Sequence, residues 1–138
     1  ELSLRVSRTI KAPIETVYNA WLNPTLLAKF MIPGEGMSVP RAETDAREGG
    51  RFSIVMAAGD EELPHGGEYR KLNPFSNIIF TWESPFSVEG SLVTLNFTEV
   101  DEGTYVELEH IKFSDNEARD NHEAGWAAIL EQLDAILS

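Results

Sequence analysis

Phe113–Ser138 reads FSDNEARDNHEAGWAAILEQLDAILS. The spacing predicts one helix from Asp115 to Leu137, about 23 residues and roughly 34 Å long at about 1.5 Å per residue. Ser114-Asp115-Asn116-Glu117 has the S-x-x-E form of a capping box, in which the Ser hydroxyl accepts from the third helical N–H and the Glu reaches back. Asp115, Glu117 and Asp120 set negative charge at the positive end of the helix dipole. At about 100° per residue, Ala118, His122, Gly125, Trp126, Ile129, Leu130, Leu133, Ile136 and Leu137 share one stripe. Glu117, Asp120, Glu123, Glu131 and Asp134 lie off it and read as a solvated back. The stripe needs a partner surface, which the preceding chain must supply. Two of its members are unlike plain core: His122, and Gly125, which costs about 1 kcal/mol relative to Ala in a helix interior.

The upstream chain supplies strands. Leu2, Leu4, Val6, Arg8 and Ile10 alternate with polar residues, a period-2 pattern with one apolar face. Arg8 on that face reads as a long cation with its head in water, or as a charge at a pocket mouth. Pro13 opens a short helix whose buried side is Ile14, Val17, Tyr18 and Trp21. Asn23-Pro24 caps and starts a second, carrying Leu26, Leu27 and Phe30. After a loop at Ile32–Gly36, a weak polar edge strand is predicted over Arg41–Arg47. Further strands are predicted over Arg51–Ala57, His65–Leu72, Asn77–Glu83, Ser91–Val100 and Thr104–Phe113, with Ala58–Pro64 an acidic turn-like segment. In the last strand the apolar phase slips after His110, which a β-bulge there would explain. The order is β-α-α, six strands, then the long helix. Short turns between successive strands imply an antiparallel meander. The fold class is therefore α+β, with a curved antiparallel sheet of about seven strands wrapped around the C-terminal helix and room for a cavity between them.

A chain of 138 residues with 42% apolar and 25% charged residues suggests one domain, residues 1–138, with its own core. The net charge of −12 and the scattered basic residues exclude the clustered cations that nucleic acid or an anionic membrane surface requires. No apolar run is long enough to insert into a membrane, and no basic-then-apolar start resembles a signal peptide. With no cysteine there is neither a disulfide framework nor a thiolate nucleophile, which fits a cytoplasmic protein.

Several stretches in order are familiar: Arg8–Pro13, Val17–Trp21 with Asn23-Pro24, and Arg47–Phe52. His65–Tyr69 with Pro74 and Phe80–Glu83, and then His122–Trp126 followed by Leu130, complete the set. They resemble the START-like, Bet v 1-like superfamily, and within it the branch named for the activator of Hsp90 ATPase homologue. The resemblance implies a helix-grip fold and a cavity that takes a small hydrophobic or amphipathic ligand. The branch name implies an Hsp90-type chaperone as an alternative partner. The related polyketide cyclases and aromatases imply an enzyme as a third reading, with His122 as its acid–base group. Phe30-Met31 stands where many relatives carry adjacent tryptophans near the presumed cavity mouth.

The candidate ligand-binding residues are Trp21, Phe30, Phe52, Tyr69, Phe80, Trp82, Phe97, His110, His122, Gly125 and Trp126. They are aromatic, polar or missing a side chain, and all lie on predicted inward faces; the aromatic members read equally well as core. His110 and His122 are in phase with apolar neighbours, as satisfied core groups or as ligand contacts. His65, beside Gly66-Gly67, reads as a turn-stabilising residue. No H-x-H or H-E-x-x-H spacing marks a metal site, and no phosphate or dinucleotide glycine motif marks a cofactor.

Overall fold

The computed structural model describes residues 2–138. Its elements run β1 (Ser3–Ile10), α1 (Ile14–Ala20), α2 (Pro24–Phe30), β2 (Met37–Thr44), β3 (Arg51–Ala58), β4 (Glu61–Asn73), β5 (Asn77–Thr81), β6 (Leu92–Val100), β7 (Gly103–Ile111) and α3 (Asn116–Leu137). The seven strands form one antiparallel sheet in the order β1-β7-β6-β5-β4-β3-β2. The fold is α+β, a curled half-barrel closed on α3 in the helix-grip manner. Because β1 and β2 are opposite edges, α1 and α2 carry the chain from one edge to the other. Asn23 makes the predicted cap of α2, its side chain accepting from the N–H groups of Thr25 (2.9 Å) and Leu26 (3.3 Å).

The inner face is built by alternation. Phe52, Ile54 and Met56 of β3, Ile78 and Phe80 of β5, and Val93, Leu95 and Phe97 of β6 are buried at every second position. Val106, Leu108 and His110 continue the row on β7, against Trp126, Ile129, Leu130 and Leu133 of α3. Each fully buried large apolar side chain contributes roughly 1.5–3 kcal/mol, so this interface holds the helix to the sheet.

Several local expectations are corrected. The edge strand β2 starts at Met37, four residues early, and passes Pro40 where its pairing with β3 shifts register between Ser38 and Arg41. An edge position tolerates proline because its missing N–H has no partner to lose. Ala58–Pro64 is not a turn-like segment: β3 and β4 pair through Ala58↔Glu61, leaving only Gly59-Asp60 at the tip. Glu61 and Glu62 therefore lie on β4, and only Asp60 sits at the turn.

No bulge occurs at His110. Pairing of β7 with both β1 and β6 is regular through Ile111. The phase slip arises because the strand stops: Lys112 has a φ of 74°, which turns Phe113 back toward the interior. The helix cap is Asp115, not Ser114, with the Asp115 carboxylate accepting from the Ala118 N–H at 2.8 Å.

Asp134 is the largest surprise on α3. It is buried, not part of the solvated back. Its Oδ2 accepts from Arg8 Nε and its Oδ1 from the Lys11 backbone N–H, both at 3.1 Å. Arg8 lies on the edge strand at the far end of the helix from the cavity, so its head group is tied to α3 and not to a pocket mouth.

Candidate functional site

The N-terminal half of α3 stands off the sheet and leaves a cavity of about 620 Å³. Trp126, Gly125 and His122 of α3 form one wall. Met56 of β3, with Leu63 and His65 of β4, forms the facing wall. Trp82, just past β5, closes the base, while Pro33, Met37 and Phe86 stand at the rim. Phe86 is 59% exposed.

The glycine wall has a physical reason. A Cβ on Gly125 would lie 3.2 Å from Cβ of Pro33, so the missing side chain allows the loop after α2 to approach the helix. The indoles of Trp82 and Trp126 lie 4.9 Å apart between centroids and are tilted by 58°. The Trp82 ring also faces the His65 ring at 5.1 Å.

Three imidazoles surround this corner. His110 is fully buried behind the cavity wall. The Trp126 indole N–H donates to its Nδ1 at 3.0 Å, and its Nε2 lies 2.6 Å from Ser91 Oγ. An indole nitrogen can only donate, so His110 carries its proton on Nε2 and donates to the serine. Burial, aided by the proximity of His122, pushes the His110 pKa down to about 3. It is a neutral structural group at ordinary pH.

His122 is half-buried, with its ring perpendicular to that of His110 at 5.3 Å. Its Nδ1 donates to the Ala118 carbonyl at 2.8 Å, one helical turn back. His65 is buried, and its Nδ1 donates to the Leu63 carbonyl at 2.9 Å. Burial lowers the His65 pKa, and nearby His122 lowers it further; the backbone bond opposes the shift. Among the described residues no group of three or more His, Asp or Glu side chains converges to hold a metal ion.

Of the eleven sequence candidates, Trp82, His122, Gly125 and Trp126 are brought together around the cavity. His110 lies one layer behind, bonded to Trp126. Phe52, Tyr69 and Phe80 form an aromatic cluster deeper under the sheet, with Phe52 centroids 5.4 Å from Tyr69 and 5.2 Å from Phe80. Burial raises the Tyr69 pKa. Trp21 and Phe30 pack edge-to-face at 5.0 Å at the helical end of that cluster. Phe97 packs against Tyr18 at 5.3 Å, away from the cavity. Phe30 and Met31 are fully buried and do not line the mouth.

His65, Met37, Met56 and Leu63 also line the cavity, and the sequence pattern does not single them out. His65 is not a turn residue: it lies inside β4, in phase with buried Gly67 and Tyr69. Extending that inward row back by two residues is the signal that would have found it. Met56 was on a recognised inward face, but nothing in the sequence distinguishes a cavity wall from packed core.

No curated protein matches the sequence. Solved structures are similar over nearly the whole chain. A Chromobacterium violaceum protein is 27% identical with a TM-score of 0.85, covering 99% of this chain and 98% of its own. The AHSA1 protein from Silicibacter pomeroyi is 25% identical with a TM-score of 0.80, covering 99% and 97%. The AHSA1-like protein from Aeromonas hydrophila is 22% identical with a TM-score of 0.84, covering 97% and 90%, and shares the fold. The family described as Activator of Hsp90 ATPase homolog 1-like protein matches residues 11–138, and this chain belongs to that family.

Proposed function

We propose that this protein binds a small hydrophobic or amphipathic molecule in the cavity between its sheet and the N-terminal half of α3. The observation that carries the reading is the cavity of about 620 Å³ walled by Trp82, Trp126, Met56 and Leu63. Ligand sites are commonly 300–1,000 Å³, mostly apolar, with a few polar groups that fix orientation. Burying about 200 Å² of apolar ligand surface contributes roughly 5 kcal/mol before ordering costs. Extraction of the purified protein with organic solvent, followed by mass spectrometry, is expected to release a co-purified small molecule. A protein that extracts empty and does not enhance an environment-sensitive apolar fluorophore would overturn the reading.

A chaperone contact is the second reading, favoured by the family description. Its test is co-purification with an Hsp90-type ATPase and a change in that ATPase rate.

A further inference from the structure

We propose that the cavity selects an aromatic molecule whose polar end is an uncharged or positively charged hydrogen-bond donor, a hydroxyl or an amine, and rejects carboxylates. This rests on the ligand-binding reading above and names the ligand's chemistry. The argument begins with two imidazoles. His65 and His122 both line the cavity, and each has Nδ1 against a backbone carbonyl, Leu63 at 2.9 Å and Ala118 at 2.8 Å. A carbonyl only accepts, so each Nδ1 carries the hydrogen. The neutral ring then presents its Nε2 lone pair. Neither Nε2 has a protein partner among the described residues, and neither is sealed away from solvent. The inner wall of the cavity therefore offers two acceptors and asks the ligand for a donor, while the donors in the lining, the Ser114 hydroxyl and the Asn121 amide, stand on exposed residues at the start of α3.

The charges around the cavity point the same way. Among the described residues, the charged ones that line it are Asp115 and Glu117, with no Lys or Arg. The positive end of α3, which elsewhere would attract an anion, is already occupied by the Asp115 carboxylate bonded to the Ala118 N–H. His65 does not supply a cation readily, because burial disfavours its charged form and the nearby His122 disfavours it further. A carboxylate entering this space loses hydration and meets two like charges with no counter-ion. The aromatic preference follows from the indoles of Trp82 and Trp126 and the rim ring of Phe86, which offer faces and edges to a flat ligand.

The test uses one ring with four ends: 2-(1-naphthyl)ethanol, 2-(1-naphthyl)ethylamine, 1-ethylnaphthalene and 1-naphthylacetate, titrated into the whole chain at pH 8 by calorimetry and by NMR. The alcohol and the amine are expected to bind about tenfold or more tighter than the ethyl compound, and the acetate more weakly than any. In His122→Leu, with folding checked by circular dichroism, the ethyl compound is expected to keep its affinity while the advantage of the alcohol shrinks several-fold. His65→Leu serves as the second variant. Acetate binding as tightly as the alcohol, or ethylnaphthalene matching it, overturns the donor rule while leaving the cavity a ligand site. Failure of all four to bind overturns both readings.

Discussion

The indole N–H of Trp126 donates to Nδ1 of His110 across the helix–sheet interface at 3.0 Å. This one bond fixes the histidine tautomer, satisfies a buried indole, and ties the cavity wall to β7, the strand beside the edge strand β1. Trp126→Phe keeps the ring but leaves His110 Nδ1 enclosed without a donor. The expected loss is about 1–3 kcal/mol of stability, the cost of an unsatisfied buried polar group, read as a lower urea midpoint with an unchanged slope. An unchanged midpoint would mean that water replaces the indole.

The same histidine predicts an acid limb. Its pKa falls from the ordinary 6.5 to about 3 on folding, chiefly through burial and secondarily through His122. The unfolded chain therefore binds a proton that the folded chain refuses. Stability from this group is complete above pH 6.5 and declines as pH falls toward 3. Each pH unit in that window costs up to about 1.4 kcal/mol per group, or about 2 kcal/mol by pH 5. His65, lowered for the same main reason, adds in the same direction. Urea unfolding between pH 7 and 5, a range above most carboxylate titration, is expected to show this fall. His110→Gln is expected to be less stable at pH 7 but to decline less steeply.

At the other end of α3, Asp134 holds both Arg8 and the start of the loop after β1. The ion pair alone is modest, because the Arg8 side chain is 41% exposed. The backbone contact matters more: Asp134→Ala leaves the Lys11 N–H without its partner. The expected cost is about 1.5–3 kcal/mol, the range for hydrogen bonds to charged groups. Arg8→Ala is expected to cost less than half of that. Thermal melts of the two variants compare them, and equal losses would place the stabilisation in the ion pair instead.

Gly67 is a packing requirement within β4. A side chain there would run into the Thr81 carbonyl oxygen and lie 2.7 Å from the Phe52 ring. Gly67→Ala is expected to cost about 1–3 kcal/mol through forced displacement. A melting temperature within 2 °C of the parent, roughly the shift for half a kcal/mol or less, would show that the strand relaxes freely.

Gly125 predicts a separation of stability from binding. Gly125→Ala gains about 1 kcal/mol of helix propensity but presses on Pro33, so stability is expected to change by less than about 1 kcal/mol. Gly125→Leu projects bulk into the cavity. It is expected to weaken binding of a naphthyl or similar apolar probe at least tenfold, as measured by calorimetry, with secondary structure retained by circular dichroism. Unchanged probe affinity would place the ligand elsewhere.

Periodicity alone carried the architecture, because an amphipathic helix and alternating strands each advertise one face to be buried. The element order, the antiparallel meander and the burial of Trp126, Ile129, Leu130 and Leu133 all follow from spacing in the chain. Spacing could also name His122 and Gly125 as exceptions on a buried stripe. It could not separate the four candidates that line the cavity from Phe52, Phe80, Phe97 and the others that pack as core. All of them point inward, and inward-facing residues read alike in sequence whether they meet a neighbour or a void.

Those distinctions depend on distances between elements remote in the chain. Asp134 read as solvated until Arg8 and the Lys11 amide, more than 120 positions away, came within hydrogen-bond reach. His65 read as a turn residue until β3 and β4 proved to pair down to a two-residue tip. Which faces must be buried is legible in the chain alone, because that is a local property of pattern and free energy of transfer. Where burial stays incomplete depends on tertiary distances: Pro33 approaches Gly125, and α3 stands away from β4 with His65 and His122 lining the space between.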